Sequence, residues 1–123
     1  MRSVVYAETG GPEVLHVTDE EVPEPGPGEL RVRVVRSGVN PTDWKSRAGR
    51  GPGQAVDPPQ IPGQDGAGVV EAVGPGVAAS WLGLDVWLFE AAWKRRWGTT
   101  SEQTLVRQTR AAVIEVLSED YVR

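Results

Sequence analysis

The polar side chains best suited to chemistry lie in two short segments that are rich in glycine and proline. The first, residues 38–45, reads Gly-Val-Asn-Pro-Thr-Asp-Trp-Lys, and the second, residues 62–68, reads Pro-Gly-Gln-Asp-Gly-Ala-Gly. In the first segment the Asn40 amide can donate a hydrogen bond, and the Lys45 ammonium can neutralise an oxyanion or a phosphate. Each also has a structural alternative, because asparagine suits a turn before proline and lysine suits a solvated surface.

Four neighbouring side chains also allow either a functional or a structural interpretation. Asp43 could act in a site, or it could stabilise a helix from the first turn, where its negative charge lies near the positive end of the helix dipole. Trp44 could stack on a flat ring, although packing is the interpretation we favour. Gln64 and Asp65 could contact a ligand, or they could hold the glycine-rich loop by bonds from side chain to backbone. The sequence leaves these alternatives open.

The sequence contains few residues that could bind a metal ion. There is no cysteine, and the single histidine, His16, lies in a predicted strand far from both segments. The carboxamides of Asn40 and Gln64 are not normal zinc ligands. We therefore expect a metal-free protein in which His16 is a surface or core residue.

The glycine-rich stretch 62–77 does not have the pattern of a phosphate-binding loop. A dinucleotide fingerprint needs G-x-G-x-x-G between a strand and a helix. Here Gly66-Ala67-Gly68 continues to Glu71 instead of a third glycine, and the apolar run at 69–73 predicts a strand. No G-x-x-x-x-G-K-[ST] sequence occurs either. This loop is therefore predicted to serve the fold or a different ligand.

Composition and charge exclude several classes of partner. A chain of 123 residues is expected to form one domain. Its net charge is −4 and its arginines are scattered, so no nucleic-acid partner is expected. The densest basic cluster, residues 94–96, is interpreted as a solvated loop tip. No signal peptide or membrane-length apolar run is present, so we expect no membrane partner and a cytoplasmic location.

The spacing of apolar residues predicts a protein that is mainly β. Fifteen glycines and ten prolines favour short strands and turns. Residues 30–36 show the clearest alternation, with Leu30, Val32 and Val34 on one face and Arg31 and Arg33 facing water. The predicted strands are residues 3–7, 14–18, 30–36, 69–73, 86–89 and 104–107, the first two forming an antiparallel pair. Many short strands between turns indicate an all-β barrel or sandwich.

The connecting segments give weaker signals. Thr42 could cap a short helix that runs to Ser46 or Ala48 and is closed by Gly49. Residues 51–59 are interpreted as a loose loop. The last segment, 111–121, could be strand or helix, and we favour a strand to residue 116. The tryptophans outside the first segment are expected in the core or at an interface, namely residues 81, 87, 93 and 97.

Three motifs together resemble the medium-chain dehydrogenase/reductase superfamily, and its zinc-independent quinone oxidoreductases in particular. They are residues 38–45, 62–70 and 74–77, in matching order and spacing, and the opening residues 10–15 are similar to the first hairpin of that branch. The resemblance covers roughly residues 1–107. It implies a GroES-like fold, which is a partly open β-barrel with a few short helices, as a single domain over residues 1–123.

The resemblance also implies a function. Such a domain is the catalytic, substrate-side half of an NADPH-dependent quinone or enone reductase, and a following Rossmann domain binds NADPH. It implies that Asn40, Asp43 and Lys45 are catalytic residues lining the cleft. It also implies that Trp44, Gln64 and Asp65 contact the substrate.

Two consequences follow from that resemblance. Zinc-dependent relatives place a cysteine and a histidine where this chain has Asn40 and Gln64, which again predicts a zinc-free site. This sequence shows no glycine fingerprint for a cofactor domain, so we expect an isolated or engineered domain that binds no NADPH on its own and is inactive alone.

A second hypothesis is a non-catalytic β-barrel module that binds a partner or associates with itself. Residues 113–117 carry one charge and no proline, and a strand of that kind at a sheet edge is weakly protected against pairing. We therefore expect a homodimer through this strand or an uncovered face. The motifs favour the reductase domain, whereas the absent cofactor fingerprint favours the non-catalytic module.

Overall fold

The computed structural model describes residues 1–114. Its strands and single α-helix are β1 (Arg2–Glu8), β2 (His16–Asp19), β3 (Glu29–Ser37), α1 (Pro41–Ala48), β4 (Ala55–Gln60), β5 (Gly66–Val73), β6 (Asp85–Leu88), β7 (Gln103–Arg107) and β8 (Ala111–Val113). Three short 3-10 turns lie at Pro12–Val14, Ala79–Trp81 and Gln108–Arg110. The expectation of a mainly β domain with a few short helices is confirmed.

The strands form two curled antiparallel sheets. The smaller has the order β2-β1-β4 and the larger has the order β7-β3-β5-β6-β8. The predicted pairing of the first two strands is confirmed, with Val4 opposite Val17. The predicted second strand begins later than expected, however, because Val14 ends a 3-10 turn and is buried there. β5 is the central strand of the larger sheet.

The hydrophobic core lies on one face of the larger sheet. Leu30 and Val32 of β3 are fully buried, which confirms the alternation expected for this strand. The prediction that Arg31 faces water is wrong, because its side chain is 17% exposed and lies 3.5 Å from Glu71. That carboxylate and Glu24 compensate the charge of the largely buried guanidinium. The buried members of the core are Leu30, Val32, Val70, Val86, Leu88, Ala91 and Val106.

Glycines allow β5 to approach β3 closely. A Cβ at Gly68 would overlap the carbonyl oxygen of Arg33, and a Cβ at Gly66 would overlap that of Arg36. Because both lack a side chain, β5 starts at Gly66, three residues before the predicted start at 69. The glycine-rich motif therefore has a structural role within the sheet.

The segment 51–59 is not a loose loop, and that prediction is wrong. It contains β4, which pairs with β1 through Tyr6 and Gln60. Prolines lack the N–H that a sheet uses, but a strand with only one neighbour, such as β4, tolerates them. The residues before β4 are also fixed, because the Thr9 hydroxyl donates to the carbonyl of Gly51 at 2.6 Å and accepts from the Gln54 N–H at 3.0 Å.

The helix begins one residue before the predicted cap. Asn40 precedes its first turn, and the Asn40 N–H donates to the Asp43 carboxylate at 2.7 Å. Pro41 occupies the first helical position, where a missing N–H has no cost. The predicted end at Gly49 is confirmed, since its φ of +59° is a conformation that favours glycine.

Some of the tryptophans and of the basic residues 94–96 are exposed, and the others pack against the core or form ion pairs. Trp81 packs against the core, whereas Trp87 and Trp93 are 48% and 53% exposed, which excludes core packing for these two. Lys94 is exposed as predicted. Arg95 and Arg96 are not a solvated tip, because Arg95 pairs with Glu29 and Arg96 lies 2.9 Å from Glu20.

The last described residues form the outer strand of the larger sheet. β8 pairs with β6, with Val113 opposite Val86, which agrees with a strand in the ambiguous segment. The predicted continuation of this strand to residue 116 lies outside the described residues.

Candidate functional site

A direct hydrogen bond joins the two polar segments. The Asn40 side-chain amide donates to the Asp65 carboxylate at 2.9 Å. The backbone N–H of Gly38 also donates to the carbonyl of Asp65 at 3.0 Å. A Cβ at Gly38 would overlap the Asp65 carboxylate, so glycine is needed for this approach. The orientation of Asn40 is therefore set by Asp65.

A buried hydroxyl fixes Asp65 in turn. Thr99 is fully buried, and its hydroxyl donates to the carbonyl of Asp65 at 2.7 Å. The Ser37 hydroxyl lies 2.8 Å from the Thr99 oxygen, and because the Thr99 proton is already used, Ser37 is the donor. Sequence reasoning missed Thr99, since it follows no motif and lies 34 residues from Asp65.

A small cavity brings together two predicted site residues. It has a volume of about 100 Å³ and lies between β1, the helix and the loop before β5. Asp43 and Gln64 both contribute to its wall. Its lining residues are Tyr6, Asp43, Ser46, Gln60, Pro62, Gly63, Gln64 and Ala92.

The polar side chains of this cavity are partly occupied by the fold. The Gln64 side-chain oxygen accepts from the Ala92 N–H at 3.1 Å. The Gln60 amide donates to the carbonyls of Ile61 and Arg95, at 2.9 and 2.8 Å. Asp43 accepts from Asn40 at the helix start, so its capping role is realised.

The remaining two predicted residues lie away from this cavity. Trp44 is half-exposed and lines an open groove with the hairpin residues Gly10 and Gly11. The Lys45 ammonium lies 5.7 Å from the centroid of the Trp44 ring. The structure thus bonds Asn40 to Asp65 and places Asp43 and Gln64 in the wall of one cavity. Trp44 and Lys45 lie on the helix outside that cavity.

Tyr6 is a cavity residue that sequence reasoning did not single out. Its side chain is buried, with 4% of its surface exposed. Burial raises the pKa of the Tyr6 phenol, while Arg47 lowers it and Asp43 raises it. The phenol is therefore neutral near pH 7 and carries a proton that can be donated. In the sequence Tyr6 is an ordinary β-forming residue of a predicted strand, so no sequence pattern indicated that it lines a cavity.

Metal ligands are not grouped in the part of the chain that the structure describes. Among residues 1–114, no cluster of three or more histidine, cysteine, aspartate or glutamate side chains could hold a metal ion. His16 is an exposed residue of β2. Within the same residues, no helix is long and apolar enough to cross a membrane.

Two antiparallel sheets with one short α-helix between β3 and β4 are consistent with the architecture of a GroES-like domain. Residues 26–115 match the family model of the alcohol dehydrogenase GroES-like domain, and the chain belongs to this family, within the medium-chain dehydrogenase/reductase superfamily. The fold and the superfamily expected from the three motifs are both confirmed.

The similar proteins include quinone oxidoreductases. The quinone oxidoreductase of Rattus norvegicus is 40% identical over 93 residues, which cover 72% of this chain and 27% of that protein. The structure of the Escherichia coli quinone oxidoreductase complexed with NADPH has a TM-score of 0.79 at 26% identity, over 94% of this chain and 33% of that one. The chain thus spans about a quarter to a third of these proteins.

Alcohol dehydrogenases share the same fold. The cobalt- and zinc-bound thermostable alcohol dehydrogenase from Pyrobaculum aerophilum has a TM-score of 0.79 at 30% identity, over 95% of this chain and 42% of that one. The metals belong to that protein, and the shared fold by itself assigns no metal to this chain.

Proposed function

We propose that this chain is the substrate-side domain of a zinc-independent, NADPH-dependent reductase that acts on quinones or enones. The main support for this proposal is the hydrogen bond from Asn40 to Asp65, which holds the two polar segments, 38–45 and 62–68, together. Similarity to proteins named quinone oxidoreductases supports the class of reaction.

Reduction of a quinone or enone places negative charge on the carbonyl oxygen, and hydrogen-bond donors or cations lower the energy of that charge. The Asn40 amide has two N–H groups, one of which Asp65 accepts, so the other remains for a ligand. Lys45 adds a positive charge on the same helix. Asp65 and Thr99 hold Asn40 in one orientation, which reduces the entropy lost on binding.

The nicotinamide of NADPH supplies a hydride when it is bound, but residues 1–114 do not fit this cofactor. The cavity of about 100 Å³ is far smaller than a dinucleotide, and the sequence lacks the glycine fingerprint for its pyrophosphate. We therefore infer that another part of the protein holds NADPH, and we assign it no contact here.

Zinc independence is part of the same proposal. The Gln64 side-chain oxygen accepts a backbone N–H, the Asn40 amide is oriented by its bond to Asp65, and carboxamides are not normal zinc ligands. Elemental analysis of the dialysed protein is expected to find far less than one zinc per chain. Stoichiometric zinc would contradict this part of the proposal.

The test is the oxidation of NADPH with para-benzoquinone and with cyclohexenone by the protein that contains this chain. Replacing Asn40 by Ala should lower kcat/KM by roughly 100-fold, as loss of an oxyanion donor does. Lys45→Ala should also lower it. Lys94→Ala is the matched control, because Lys94 is the only other lysine and lies in the loop after β6.

Three results would count against the proposal. They are the absence of NADPH oxidation with any quinone or enone, unchanged kinetics in both site variants, or an equal loss in Lys94→Ala. Circular dichroism of each variant separates loss of activity from loss of folding.

A further inference from the structure

The Tyr6 hydroxyl is a hydrogen-bond donor that the fold leaves unused. Among residues 1–114 no side chain or carbonyl accepts its proton. The unpartnered polar atoms that are sealed from water in this part of the chain are Arg31 Nε, Gln103 Oε1 and Thr104 Oγ1. The Tyr6 hydroxyl is not one of them, so it is not sealed from water, and Tyr6 lines the cavity.

The other polar groups of the cavity are mostly occupied. Gln60 donates to two carbonyls, Gln64 accepts from Ala92, and Asp43 accepts from Asn40. Tyr6 and Ser46 are therefore the hydroxyls of the cavity wall that remain for a ligand. Of the two, Tyr6 is buried and rigidly placed on β1, whereas Ser46 is exposed on the helix.

Size and charge restrict the ligand group that can enter. A volume of about 100 Å³ corresponds to roughly three water molecules at about 30 Å³ each. The carbonyl edge of a ring fits this space, and a whole bicyclic ring does not. The Asp43 carboxylate in the wall disfavours an anion, so a neutral oxygen acceptor is the better match.

We propose that Tyr6 is a substrate-binding residue whose hydroxyl donates a hydrogen bond to the carbonyl oxygen of the quinone or enone. This inference rests on the proposed function and deepens it, because it selects the carbonyl group as the part of the substrate that enters the cavity.

The test uses the 123-residue chain with a carbon-13 label at the ζ carbon of tyrosine. The chain has only two tyrosines, Tyr6 and Tyr121, so the spectrum contains two resonances. Titration with cyclohexenone should move the Tyr6 resonance saturably, while cyclohexene, which lacks the oxygen, should not. Tyr121, outside the described residues, serves as the internal reference.

Variants then measure the contribution of the hydroxyl. The affinity is obtained from the backbone amide shift of Gly63, which lines the cavity and is left unchanged by both substitutions. Tyr6→Phe keeps the ring and should weaken cyclohexenone binding about fivefold, as expected for one neutral hydrogen bond. Ser46→Ala tests the other hydroxyl of the wall, and because Ser46 is exposed to water this variant should change the affinity by less than about twofold. Dispersed amide spectra establish that both variants are folded.

The outcomes separate this inference from the proposed function. Equal affinity in Tyr6→Phe and wild type, or a larger loss in Ser46→Ala, overturns the role of Tyr6 and leaves the reductase proposal intact. Absence of cyclohexenone binding, or a Tyr6 resonance that does not move, also overturns it. The NADPH oxidation assay depends on neither result and decides the proposed function by itself.

Discussion

At the scale of single residues, the polar groups around the helix start are fixed by one another. Asp65 accepts from Asn40, Thr99 holds Asp65, and Ser37 donates to Thr99. A site built in this way binds with little reorganisation, because its donors are already oriented. The Tyr6 phenol differs from this network, since its hydroxyl is oriented by burial alone.

Tyr6 should make the stability of the protein depend on pH in the alkaline range. Burial raises the folded-state pKa above the ordinary 10.0, with Asp43 adding to the shift and Arg47 opposing it. The folded state then holds its proton after the unfolded chain has lost it, so stability falls as pH rises. The loss begins near the unfolded pKa and ends above the folded pKa, with a slope of at most about 1.4 kcal/mol per pH unit.

Urea unfolding of wild type and Tyr6→Phe at about pH 9 and about pH 11 measures this effect. Between these two pH values, the free energy of unfolding should fall more for the wild type than for the variant. The difference between the two losses is the contribution of the Tyr6 hydroxyl. Equal losses would show that the pKa of Tyr6 is the same in both states.

At the scale of elements, the contact between β3 and β5 depends on glycine at position 68. This contact is the centre of the five-stranded sheet, and it carries Val32 opposite Val70 in the core. A Cβ at Gly68 would overlap the backbone carbonyl of Arg33, which cannot rotate away as a side chain could. The two strands would have to move apart.

We expect Gly68→Ala to lower the free energy of unfolding by about 2–3 kcal/mol, the usual cost of forcing an extra methyl group into a packed sheet. Urea unfolding is the measurement. Gly11→Ala is the matched control, because Gly11 has a φ of −80° and its Cβ would meet only the flexible Glu13 carboxylate. A similar loss in both variants would contradict the proposed overlap.

At the scale of the whole molecule, the outer strand of the larger sheet is open. β8 pairs with β6 on one side, and among residues 1–114 it has no strand on the other. Val113 and Ile114 are 47% and 41% exposed there. An exposed edge with apolar side chains recruits another strand unless a charge or a proline prevents it.

We therefore expect the 123-residue chain to dimerise with increasing concentration, and Val113→Lys to weaken the dimer at least about tenfold by burying a charge in the contact. Light scattering across a concentration series measures both. Val17→Lys, at a 72% exposed position of β2, is the control for a general effect of charge. A constant monomer mass up to high micromolar concentration would contradict the dimer, and with it the hypothesis of a self-association module.

The sequence by itself determined the features that depend on neighbouring residues or on a motif. The alternation of Leu30 and Val32 specified the buried face of β3, because side chains of a strand alternate between its faces. Gly49 specified the helix end through its backbone conformation. The order and spacing of three motifs were sufficient for the GroES-like fold and its superfamily.

Only the tertiary structure decided the features that join distant residues. Gln60 pairs with Tyr6 across more than fifty residues, which turned an apparent loop into β4. Arg31 is largely buried because Glu71 and Glu24 lie close enough to balance its charge. Thr99 reached Asp65, and Tyr6 reached the cavity, through packing that no local pattern encodes. Such contacts depend on how whole sheets curl and meet, and the chemistry of a site depends on them.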